Sequence, residues 1–63
     1  MDLKYVLFFR CKAEYDGYIG MDDTYTEEEK ELQRARFMSA YQVIEEAELE
    51  DEYQAWKEAN PDV

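Results

Sequence analysis

Six carboxylates in eight residues, Glu45-Glu46-Ala47-Glu48-Leu49-Glu50-Asp51-Glu52, form the densest chemical feature of this chain. Read as one helix, the run spans about 12 Å, or one charge per ~2 Å. Duplex DNA carries one charge per about 1.7 Å. Such a density suits docking on a basic groove, and in its sharpest form it suits DNA mimicry. The geometric objection is that the six side chains point nearly all round a single helix. The bland reading is a solvated run that keeps a small protein soluble. Against it, like charges this dense destabilise a chain with little stability to spare. The residues assigned to partner binding are therefore Glu45, Glu46, Glu48, Glu50, Asp51 and Glu52, with Tyr18 and Tyr25 as anchors, since tyrosine is enriched at interface hot spots.

Other chemistry is poorly supplied. The chain has no histidine and one serine, Ser39, so a Ser–His–Asp constellation cannot be built. Cys11 lacks a histidine to activate it and reads as core. The two glycines, Gly17 and Gly20, make no phosphate loop. Asp16, Asp22, Asp23 and Glu27 lack the spacing of a calcium loop. Neither catalysis, a metal nor a cofactor is expected.

Sixty-three residues allow a single domain with a thin core. One cysteine forms no internal disulfide, so extra stability must come from association. A hydrophobic content of 46% argues for a folded chain. The lone cysteine, the absence of a signal-peptide pattern and an apolar run no longer than Val6–Phe9 point to a soluble, cytoplasmic protein. The net charge of −10 disfavours direct binding to nucleic acid or to anionic membranes. Residues 1–15 hold three basic and two acidic side chains; residues 16–63 hold four and fifteen. One end is near neutral and the rest is an acidic body.

The elements that position these groups read as α+β. Leu3, Tyr5, Leu7, Phe9, Cys11, Ala13 and Tyr15 fill every odd position, the period of a half-buried strand. Asp16-Gly17 follows, a favoured pair for a tight hairpin turn, with Tyr18–Met21 returning. The expectation is a β-hairpin over 3–22, packed by a long amphipathic helix over 26–46 that opens with a Thr26/Glu29 capping box. Leu49, Tyr53 and Trp56 form a separate stripe, so residues 48–59 are a short second helix, or else 26–59 is one continuous helix. Asn60-Pro61 ends it.

Two functions follow. The first is a small acidic inhibitor or modulator that docks on a basic, nucleic-acid-binding site of a host or defence enzyme. In size, acidity and lack of catalytic groups the chain resembles small phage-encoded host-takeover and anti-defence proteins, a likeness of style that transfers no residue. The alternative is an oligomeric structural or accessory subunit. Its interface would be Val6, Phe8, Ile19 and Met21 on the second face of the ribbon, or the Leu49–Tyr53–Trp56 stripe. A homo-oligomer is expected, because the apolar surface exceeds what one thin core buries.

Overall fold

A computed structural model describes residues 2–61. Among these residues three helices make up the fold: α1 (Leu3–Ile19), α2 (Glu27–Glu46) and α3 (Glu50–Ala59). The expected α+β architecture is overturned, for the described residues contain no strand and residues 3–19 are helical. The odd-position pattern misleads because the even positions Val6 and Phe8 are apolar as well. Phe8, Cys11, Tyr15 and Tyr18 are spaced three, four and three apart, which is equally a helix face. Seven of the segment's seventeen residues (Leu, Lys, Arg, Ala, Glu) are strong helix formers and only two are β-branched. Asp2 starts α1 by accepting a hydrogen bond from the Lys4 amide at 3.2 Å.

Asp16-Gly17 is no turn. Both residues lie inside α1, and Gly17 serves a close approach instead. A Cβ there would meet the Gln33 side chain at 3.1 Å. That side chain donates to the carbonyl and carboxylate of Glu14, both at 2.8 Å. The glycine thus lets α2 lie close to α1.

α2 opens with the capping box. The Thr26 hydroxyl accepts from the Glu29 amide at 3.1 Å, and the Glu29 carboxylate accepts from the Thr26 amide at 2.9 Å. These bonds hold the Glu29 carboxyl below its usual pKa. A depressed folded-state pKa stabilises the protein at neutral pH, and the gain fades as pH falls through the lowered value. Thr26→Ala is expected to cost about 1 kcal/mol, read as a drop in the thermal midpoint followed by circular dichroism.

Residues 26–59 form two helices. α3 folds back so that Tyr53 and Trp56 meet α1: ring centroids lie 5.4 Å from Phe8 to Tyr53 and 5.7 Å from Phe8 to Trp56. Among the described residues the fully buried core is small, consisting of Phe8, Cys11, Ile44 and Tyr53. Leu7, Phe37, Ala40, Tyr41, Leu49 and Trp56 pack around it. Tyr15 against Phe37, centroids 5.0 Å apart, extends the packing along α1 and α2. None of the described helices is long and apolar enough to cross a membrane.

Candidate functional site

The acidic run sits at the corner where α2 gives way to α3. α2 ends in a two-bond cap: the Leu49 amide reaches the Ile44 carbonyl at 3.0 Å, and the Glu48 amide reaches the Glu45 carbonyl at 3.0 Å. This cap needs one left-handed residue, usually glycine. Here it is Glu48, at φ 58°. Leu49 then turns inward onto the core that includes Ile44, the apolar contact that commonly accompanies the motif.

The corner divides the carboxylates electrostatically. Glu50, Asp51 and Glu52 occupy the first turn of α3, where the helix dipole favours negative charge. They serve a terminus that lacks a side-chain cap, because Leu49 stands at the N-cap. Glu45, Glu46 and Glu48 crowd the opposite kind of helix end. α2 has no basic residue in its last turn, so its negative pole and these carboxylates repel.

Their individual partners differ. Glu52 pairs with Lys4 at 3.0 Å, tying α3 to the start of α1 and raising the pKa of the lysine. Glu46 accepts from Gln42 at 3.3 Å. Glu50 is half-buried, with one carboxylate oxygen shut from solvent and unpartnered among the described residues. Glu45, Glu48 and Asp51 are exposed and make no side-chain bond there. Those three are free to meet a partner.

Replacing Glu48 by glycine is expected to stabilise the fold by about 1 kcal/mol, the cost of a left-handed non-glycine residue. In a domain this small that raises the thermal midpoint by roughly 4–8 °C, measurable by calorimetry. A midpoint that fell or stayed put would remove the strain argument.

The other assigned residues do not join this corner. Tyr18 is half-buried near the far end of α1, and Tyr25 is exposed just before α2. The twenty residues of α2, about 30 Å of helix, separate that end from the acidic corner. Of the residues assigned to an oligomer interface, Phe8 and Tyr53 are fully buried in the chain's own core. Leu49 and Trp56 pack against it and Met21 is half-buried. Val6 and Ile19 are exposed, but thirteen residues of helix set them about 20 Å apart.

Cys11 is fully buried, and burial pushes its thiol pKa up, so the nucleophilic thiolate is disfavoured. Burial likewise raises the Tyr53 hydroxyl, with the neighbouring Cys11 adding to the shift. Among the described residues no His, Cys, Asp and Glu side chains cluster as a metal site.

A feature missed in the sequence is a groove between α1 and α2, lined by Leu7, Arg10, Ser39, Ala40 and Val43. A helical wheel over residues 3–19 places Leu3, Leu7 and Arg10 on one flank, and reading the segment as strand hid it.

Fold and site together define a three-helix protein with an acidic corner. No family model, curated protein or solved structure matches the chain.

Proposed function

We propose that this is a protein-binding module that docks the acidic corner, led by Glu45, Glu48 and Asp51, on a basic site of a larger protein. One observation carries the reading. Two of the three, Glu45 and Glu48, stand where the fold gains nothing from them, against the negative end of α2 and, for Glu48, on a left-handed backbone. Charge retained at a cost in stability is what a binding surface requires. The break after Glu46 makes the charges a patch at a corner rather than a row along one helix. The proposal is accordingly of docking on a cationic protein surface. Displacement of nucleic acid follows where that surface normally holds phosphate, as in a nucleic-acid-handling host or defence enzyme. Carboxylates would steer the encounter and fix its register.

The test is affinity capture from bacterial lysate, eluted with rising salt and read by mass spectrometry. A protein with a basic site released at moderate salt supports the proposal. Capture that persists through high salt, or that is unaltered by Glu45→Gln, Glu48→Gln and Asp51→Asn together, contradicts it.

Exposed Ile19, at the end of α1, and Leu32, in the first half of α2, support a second reading, self-association of the chain. Light scattering that finds only monomer at micromolar concentration removes it.

A further inference from the structure

The chain is less compact than its length requires. Its radius of gyration is 12.5 Å, against about 10.6 Å for a folded chain of this size. Its accessible surface is 4797 Å², against about 4,300 Å² for a compact monomer of its mass. Apolar side chains exposed on α1 and α2 include Leu3, Val6, Ile19 and Leu32. α3 covers one side of that pair, where Phe8 and Phe9 meet Trp56. No residue of α3 lines the groove of Leu7, Arg10, Ser39, Ala40 and Val43. Leu3, 70% exposed, and Val6, 48% exposed, extend the same flank of α1.

We propose that this groove receives an amphipathic helix of a partner protein, one that carries carboxylates beside its apolar row. Shape sets the helix. The groove lies between two packed helices, and a helix laid along them would present apolar residues at i, i+3, i+4 and i+7. Charge sets the acid. Leu3–Ala13 holds three basic side chains and no acidic one in a chain with 17 carboxylates. Lys4 is paired with Glu52 and Lys12 with Asp16, whereas Arg10 has no ion pair among the described residues. Arg36, one turn before Ala40 on α2, adds a second guanidinium one turn further from the acidic corner. Ser39 offers a hydroxyl between them.

A second copy of the chain fits this flank poorly. Arg10 lies near the midpoint of α1, so a twofold that overlays the flank on itself brings like charges to one level. The net charge of −10 does not exclude an acidic occupant. Screening confines charge effects to about 8 Å at physiological salt, so Arg10, which lines the groove, decides. The acidic corner lies toward the Leu3–Val43 end, so the occupant's carboxylates belong at the Arg10–Arg36 end and its apolar residues at the other. This surface is separate from the corner proposed above and does not depend on it.

The test selects binders from a displayed library of helical peptides against the full chain, then maps the winners by NMR. Winners are expected to combine an apolar row with carboxylates and to shift the amide signals of Leu7, Ser39 and Val43. Arg10→Glu should weaken them about tenfold or more and Arg10→Lys should largely retain them, since truncating or reversing one partner of a docked charge pair acts mainly on dissociation. Arg10 is exposed, so circular dichroism of both variants should match the parent. Winners without carboxylates, winners indifferent to Arg10→Glu, shifts on another face, or no binders at all would overturn the proposal. So would a dimer in sedimentation whose interface covers Val43.

Discussion

Phe8→Ala is expected to leave most molecules unfolded at 25 °C. Phe8 is 1% exposed and touches Tyr5, Tyr53 and Trp56 by its ring. It is therefore the point at which α1 grips α3. Truncating a buried phenylalanine costs about 3–5 kcal/mol. A core with four fully buried residues among those described, in a chain this short, supplies roughly the same amount in total. Few substitutions elsewhere should come close. Leu32, 64% exposed on α2, is the control, and Leu32→Ser should leave the urea midpoint almost unchanged. A cooperative, near-native urea transition for Phe8→Ala would show that the aromatic web is not what holds α3 in place.

The second large effect is expected on binding. Neutralising Glu45, Glu48 and Asp51 together should weaken the complex with the captured basic partner by about tenfold or more. Stability should hardly move. Removing charge from Glu45 and Glu48 relieves repulsion at the end of α2, while removing it from Asp51 forfeits a favourable place at the start of α3. Each of these amounts to a few tenths of a kcal/mol, and they oppose one another. A variant that folds like the parent and binds like the parent would leave the carboxylates as a solubility device. Glu48→Gly sharpens the contrast, since it should raise the melting point while lowering affinity.

Parts of this fold were legible in the residues themselves. Thr26 and Glu29 marked the start of α2 because a capping box has a fixed spacing and few competing uses. The offset stripe of Leu49, Tyr53 and Trp56 left two helices or one continuous helix open over 26–59, and the chain takes the first. Asn60 closes α3 by donating to the Trp56 carbonyl at 2.9 Å. The first seventeen helical residues were not legible. Apolar side chains surround α1 on nearly every side, so a period of two and a period of 3.6 fit equally well, and Asp16-Gly17 tipped the reading to a hairpin. The break after Glu46 carried no glycine or proline because a glutamate takes the left-handed position. At the site, the density of carboxylates was visible, but their division between two opposed helix ends depends on where the chain turns. Tyr18 and Tyr25 were grouped with them by residue type alone, and about 30 Å of helix separates the two sets.

The most direct test of the acidic corner is the affinity of the captured complex measured by calorimetry from about 50 to about 500 mM salt, a range over which the Debye length shrinks severalfold. Docking through Glu45, Glu48 and Asp51 predicts an affinity that falls at least tenfold across that range, with a shallower fall for the neutralised triple variant. An affinity that holds constant with salt, and equally so in the variant, would contradict the account and assign the contact to apolar surface instead.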